Sequence, residues 1–301
     1  MDVKDVTTTA MLVKLSIGMW RGTKSDAKVT KEVADAHGAT EEAGHYTGKL
    51  YSKEWLRKLR KAENDARVLF NMNTLPWYDD GWRVVLAIHY DDLSEQLREA
   101  EEKFRPLVNE FIDNLEEIKE RAKVDRGDMY DERDYLSRDE IKRRFRFEFL
   151  AQPIPTGADF RVDMSYLGRK SIAEEIDARV DMALTAAARE PWNRLHDILK
   201  RYVETLGKEE AGGFHYTLFT KAAELADLLP ALNLSGDPLL DEMAKEVKRE
   251  LAVVQSDGAD ERKEEAKRIT KEVKKNSEQR AAMVAKANEL LGKMAGYCGT
   301  A

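Results

Sequence analysis

Residues 11–20, MLVKLSIGMW, alternate: Val13, Leu15, Ile17 and Met19 fall on one side, Lys14, Ser16 and Gly18 on the other. Period two over this length predicts a half-buried β-strand. Residues 21–50 are polar and dotted with glycine, with weak helical character near 26–36, and read as a mobile connection. From Lys53 to about Phe70 the period changes to 3.6. Trp55, Leu56, Leu59, Ala62, Ala66, Leu69 and Phe70 form one stripe, and Ser52 stands where an N-cap belongs. Pro76 keeps Leu75 out of a helix, and Asp79-Asp80-Gly81 reads as a turn. WRVVLAIHY after it reads as strand or extended chain.

The seam Leu93, Leu97, Phe104, Val108, Phe111, Leu115 and Ile118 predicts a helix over about 93–123, opened by a capping box at Asp92 and Glu95 and bent at Pro106. A second capping box, Ser137 with Glu140, opens a short helix. IKRRFRFEFL then alternates, with Phe145, Phe147 and Phe149 opposite Arg144, Arg146 and Glu148. ADFRVDMSY alternates again, with Phe160, Val162 and Met164 together, so the two segments predict a hairpin with a longer loop. The strand at 11–20 is expected to join the same sheet.

Beyond Gly168 the pattern is helical. Helices are expected over 170–189, from Pro191 to Gly207, over 215–229, from Asp237-Pro238 to about 255, and over 260–296. The last has a thin apolar stripe that includes Leu290 and Met294, which suggests a helix leaning on a partner or a second copy. The predicted fold class is α+β and predominantly helical: long helices on a small antiparallel sheet in residues 1–165, then a helical region over 166–301 with a charged C-terminal helix.

Composition narrows the function classes. Charged residues make up 36% of the chain, and the net charge of −7 argues against a general nucleic-acid coat while leaving room for a local basic strip. The one cysteine, Cys298, has no mate for a disulfide or a Cys-His metal cluster. No apolar run reaches the ~20 residues of a membrane span, and the first residues lack the layout of a signal peptide. A cytoplasmic protein without membrane contact is expected.

Chemistry is sparse. No phosphate-cradling glycine loop, dinucleotide fingerprint, HExxH, CxxC or nucleophile elbow occurs, and His37, His45, His89, His196 and His215 are scattered. No cofactor, metal or catalytic residue is nominated. Asp79, Asp80, Asp91 and Asp92 flank WRVVLAIHY as two acidic pairs, but turn and cap roles account for them better than a metal. Trp20, Trp77 and Trp82 read as packing residues. Two basic elements remain: Arg144 and Arg146 among the phenylalanines, and Lys53, Arg57, Lys58 and Lys61 on one helix. Each is either a solvated face or a set of phosphate contacts for single-stranded nucleic acid, and side-by-side placement favours the second.

Five landmarks carry a resemblance: the strand ending in Met19-Trp20 before Gly22, the Trp/Leu-rich helix after Ser52, the LPWYDDGW joint, the long helix from Leu93, and RFRFEF (Arg144 to Phe149). Over roughly residues 11–165 the chain resembles a domain family of unknown function from tailed phages and mobile elements, often encoded beside a MoxR-type AAA+ ATPase and a von Willebrand factor A protein. The resemblance implies a viral protein acting in the host cytoplasm, alongside an ATPase or on DNA. It brings no catalytic residues. The leading expectation is a non-enzymatic interaction protein, a homo-oligomer or an adaptor to the ATPase. Its rivals are a single-stranded nucleic-acid binding or annealing protein and a virion structural protein.

Overall fold

In the computed structural model, residues 3–78, 81–162, 165–208, 214–252, 254, 256 and 258–297 are described, with side chains from residue 6 onward. The fold is α+β and predominantly helical, with long helices and a small four-stranded antiparallel sheet, as expected. The first part holds helix α1 (Val3–Thr9), strands β1 (Ala10–Gly18) and β2 (Thr23–Ser25), helix α2 (Ala27–Ala36), strand β3 (Thr47–Lys49), helix α3 (Lys53–Met72), and strands β4 (Leu75–Pro76) and β5 (Trp82–Leu86). Helices α4 (Tyr90–Asp113), α5 (Leu115–Arg126) and α6 (Arg138–Arg144) and strand β6 (Arg146–Pro153) follow. The rest is helical: α7 (Tyr166–Leu206), α8 (Thr217–Leu232), α9 (Pro238–Val247), α10 (Ala259–Lys275) and α11 (Ser277–Met294).

The main sheet has the order β4-β5-β1-β6, and β2 pairs with β3 in a separate two-stranded sheet. Ala10 lies opposite Leu86 and Lys14 opposite Trp82, antiparallel. Strand β1 therefore joins the sheet as expected, but the partner of β6 is β1 and not residues 158–166. None of the described residues of that segment is in a strand. Thr156 and Asp159 lock a 3-10 turn over Gly157–Asp159 by a capping box, and the Gly157 N–H donates to Asp177 Oδ1 at 2.7 Å. A Cβ on Gly157 would stand 2.5 Å from the Ala173 carbonyl oxygen, so only glycine allows this approach to α7. Met164 lies outside the described residues.

The segment read as a mobile connection carries structure. Asp26 caps α2 by accepting from the N–H groups of Lys28 and Val29, both at 3.1 Å. Helix α3 matches its expected span. Helix α4 begins at Tyr90, because a 3-10 turn over Ala87–His89 leads into it, and Asp92 is thus inside the first turn instead of capping it. The helix continues through Pro106, since Phe104, Val108, Phe111 and Ile112 are buried on both sides of it. It ends at Asp113, and α5 starts at Leu115 beyond Asn114, so the single expected helix is two.

The C-terminal half corrects two boundaries. Helix α7 is one helix of 41 residues, about 60 Å long, with Pro191 inside it rather than at a start. Burial of Pro191, Trp192, Leu195 and Leu199 along one stripe offsets a backbone bond worth about 3 kcal/mol in a helix interior. The expected helix over 260–296 is broken at Asn276. The Asn276 side chain accepts from the Gln279 N–H at 3.0 Å to start α11, while Arg280 donates to the carbonyls of Val273 and Lys274 to close α10.

The chain forms two compact units that differ from a single cut at residue 165. One comprises Met1–Lys14, Asn71–Asp91 and Ala151–Ala301; the other comprises Leu15–Phe70 and Asp92–Leu150. In the first, one apolar cluster joins α7 to α8, α9, α10 and α11 through Leu195, Tyr202, Phe219, Met243, Ile269 and Leu290. A second cluster gathers Val6, Leu12, Leu75, Trp77 and Val84 with Val180, Leu184 and Ala187. In the second unit, aromatic rings link the elements: Phe145 meets Phe111, Phe147 meets Phe104 and Phe149 meets Phe70.

Candidate interaction surfaces

The pattern of alternation in RFRFEF survives only in part. Arg144 is the last residue of α6 and Arg146 the first of β6, so the two do not share one strand face. Ser137 and Glu140 form the expected capping box that starts α6. Phe145 and Phe147 are buried against α4, and Phe149 packs on α3. Period two then turns Arg146 and Glu148 to the other side of the strand, where both are exposed. Gly18 of β1 leaves room there: a Cβ on it would lie 3.2 Å from Arg146 Nε.

Lys53, Arg57, Lys58 and Lys61 are exposed on α3, whose Leu56, Leu59, Ala66 and Phe70 are buried. Strand β6 meets α4 and α3 through Phe147 and Phe149, and period two puts Arg146 on the strand's other face. Among the described residues, no contact joins Arg144 or Arg146 to these cations of α3. Phe145 and Phe147 are buried and offer no ring to a base.

Sequence reading missed a trough between α3 and α4, which run antiparallel, with Lys58 Nζ 2.7 Å from Glu110 Oε1. Two adjoining cavities of about 240 and 540 Å³ share Lys58 and Leu107. The floor is apolar and partly made of small residues: Trp55, Ala62, Ala66, Leu69, Ala100 and Leu107. Both signs of charge edge it, with Lys61, Asp65, Glu99 and Lys103 along the larger cavity. The available signal was Ala62, Ala66 and Ala100 standing in stripes of large residues, where a small side chain leaves a helix surface hollow.

The joint at residues 71–90 is held by two arginines. Arg83 donates from Nε to Thr74 Oγ1 at 2.6 Å and from its Nη2 to the Thr74 carbonyl at 2.9 Å. Arg194 donates to the carbonyls of Met72 and Thr74, each at 2.9 Å, and to Glu190 at 3.0 Å. Cations at the carbonyl end of α3 satisfy its orphan acceptors and suit its dipole. Burial, with the neighbouring Arg194 guanidinium, pulls Arg83 down to about 10. Trp77 is buried beside Tyr78, and Lys14 stands 5.7 Å over the Trp82 ring, so both tryptophans of the joint pack as expected. Gly81 has φ +100°, as a turn glycine does. Asp79 and Asp80 lie outside the described residues, and Asp91 and Asp92 are exposed at the start of α4. Among the described residues, no group of three or more His, Cys, Asp or Glu could hold a metal ion.

Leu290 and Met294 correct an expectation. Both are fully buried, in the cluster that packs α11 against α7 and its neighbours. The stripe is thin because Ala287 and Leu290 fit closely against α7, and it leaves neither residue free for a partner. Cys298 lies outside the described residues. Among the described residues, no helix is long and apolar enough to cross a membrane. No protein-family model, curated protein or solved structure matches this chain.

Proposed function

We propose that this chain is a non-enzymatic interaction protein of phage or mobile-element kind, and that it works as an adaptor holding a helix of an AAA+ ATPase in the trough between α3 and α4. The trough is the observation that carries this reading. It runs from Glu54 to Leu69 along α3, about 22 Å at 1.5 Å per residue, which suits four turns of helix. Its floor is apolar and its edges charged, the chemistry that takes the apolar face of an amphipathic helix. The ATPase comes from the family resemblance, as does the host cytoplasm. A second copy of the chain is the other helix donor within the same reading.

The test is co-expression with a MoxR-type AAA+ ATPase of the kind encoded beside members of the resembled family, followed by light-scattering mass on a sizing column. Ala62→Arg with Ala100→Arg fills the trough on two partly exposed helix positions, so the fold should hold. The complex is expected with the native chain and lost with this variant. A native chain that dimerises alone, and loses the dimer in the variant, assigns the trough to a second copy. A complex that survives the filled trough removes the reading.

A further inference from the structure

Lys142, Arg143, Arg144 and Arg146 are all exposed at the corner where α6 gives way to β6. Among the described residues, none of the four has a carboxylate at ion-pair distance. On α4 of the same unit, Arg98, Lys103 and Arg105 each meet a glutamate three or four residues away, whereas the exposed Lys53, Arg57 and Lys61 of α3, like the four at the corner, have no ion pair among the described residues. Glu148 is exposed two residues from Arg146 on the same face of β6, but the two are not at ion-pair distance. Arg138 is already matched by Asp113 at 3.0 Å. Glu140 is held by the Ser137 hydroxyl and N–H, which with Arg143 and Arg144 nearby keep its carboxyl below the usual range.

A structural role covers only part of this charge. Basic residues in the last turn complement a helix carbonyl end. That end amounts to about half a negative charge in a long helix, and α6 has seven residues. Three cations in its last turn exceed the need, and Arg146 lies past the helix altogether.

We infer that this corner binds the phosphate backbone of single-stranded nucleic acid through Lys142, Arg143, Arg144 and Arg146, and that α3 takes no part. Guanidinium forks match phosphate oxygens two at a time. Successive residues of a helix turn by about 100°, so Lys142, Arg143 and Arg144 fan around the end of α6 between the buried Ile141 and Phe145. A flexible strand can wrap such a fan; a straight duplex or a flat membrane meets one side of it. Because Phe145 and Phe147 face the core, no ring stacks on a base here, and binding is blind to sequence. Lys53, Arg57 and Lys61 stand on α3, which meets β6 through Phe70 and Phe149 on the strand face away from Arg146. This binding is independent of the trough and survives if the adaptor reading fails.

The test is fluorescence anisotropy of a labelled oligothymidylate with the full chain, from 25 to 200 mM salt. Four phosphate contacts give a log–log slope of about −3 for a single strand. Arg144→Glu with Arg146→Glu should weaken binding at least tenfold at low salt and bring the slope to about −1.5. Lys53→Glu with Arg57→Glu should change neither. All four positions are exposed, and Arg144→Gln with Arg146→Gln repeats the test without new negative charge. The inference is overturned if the native chain shows no salt-sensitive binding, or if the Arg144 and Arg146 variants bind like the native chain. It is equally overturned if the α3 variant loses as much, or if polyglutamate competes as well as the oligonucleotide, which marks an acidic-peptide site.

Discussion

Tyr51 carries a buried side-chain oxygen with no hydrogen-bond partner among the described residues. Its ring sits edge-on to Trp20, Phe111 and Tyr135, at 4.8, 5.9 and 5.4 Å. The ring is thus well placed and the hydroxyl is not. An unmet buried hydroxyl costs about 1–3 kcal/mol, while the ring contacts survive its removal. Tyr51→Phe should leave the protein as stable or raise its melting temperature, and a drop of several degrees would show that the hydroxyl has a partner. The Tyr202 hydroxyl makes the opposite case, donating to the Leu251 carbonyl at 3.0 Å, so Tyr202→Phe should cost about 1 kcal/mol. These tyrosines also set an alkaline limit. Burial, with Tyr135, Tyr130 and Glu116 near, pushes Tyr51 up; burial pushes Tyr135 up to about 12; burial alone pushes Tyr202 up. Each group is raised above its ordinary value near 10, so the folded form holds its proton more tightly than the unfolded one. The stability this provides is complete below pH 10 and drains away as pH rises towards 12. Melting temperature followed from pH 8 to 11.5 should fall steeply above 10, and a flat profile there would refute the linkage.

Among the elements, legibility followed burial. The stripes of α3 and α4 and the alternation in β1 each bury one face, and each is read from spacing alone. Errors arose where a local signal competes with packing. Pro191 marks a helix start in isolation, yet α7 runs through it because the residues on both sides are buried in one stripe. ADFRVDMSY alternates, yet the Thr156–Asp159 capping box and the Gly157–Asp177 bond fix its start as a turn. Arg146 was legible as an exposed cation, but nothing in the spacing tells that its strand would pair with β1. The trough was not legible, because a hollow between two helices depends on which faces meet. The terminal stripe is apolar, as its spacing predicts, but it packs on helices of this chain. Leu290 is fully enclosed beside Ala287, Met283 and Met294. Leu290→Lys should therefore act on folding and not on association. It removes a buried leucine, worth about 2–5 kcal/mol, and sets a charge where none can be solvated. Circular dichroism should show a large loss of thermal stability at any protein concentration. A folded variant whose only defect is a change of oligomer mass would restore the partner-helix reading.

At the scale of the whole molecule, the chain passes from one compact unit to the other four times, after Lys14, Phe70, Asp91 and Leu150. A composition shift near residue 165 is real, since mixed strands and helices give way to helices, but it does not coincide with where the cores close. The larger unit draws on three stretches of chain. Its helical cluster lies wholly beyond Pro191, from Trp192 to Met294. Its other cluster uses Val6, Ala10, Leu12, Leu75, Trp77, Val84 and Ile154, with Leu232 and Leu234, to cover Val180, Ala183, Leu184 and Ala187 of α7. The two clusters thus predict different fates for a fragment of residues 166–301. The part around Leu195, Tyr202, Phe219 and Leu290 keeps its partners and should remain folded. The first half of α7 keeps only Leu232 and Leu234 of its cover, and a helix arm with so little packing is marginal. Hydrogen exchange on the fragment should show protected amides at 195–206 and 218–229, with those at 168–187 exchanging orders of magnitude faster than in the full chain. Equal protection along all of α7 would mean that the N-terminal stretches do not support it, and a fragment unprotected throughout would mean that the two clusters fold only together.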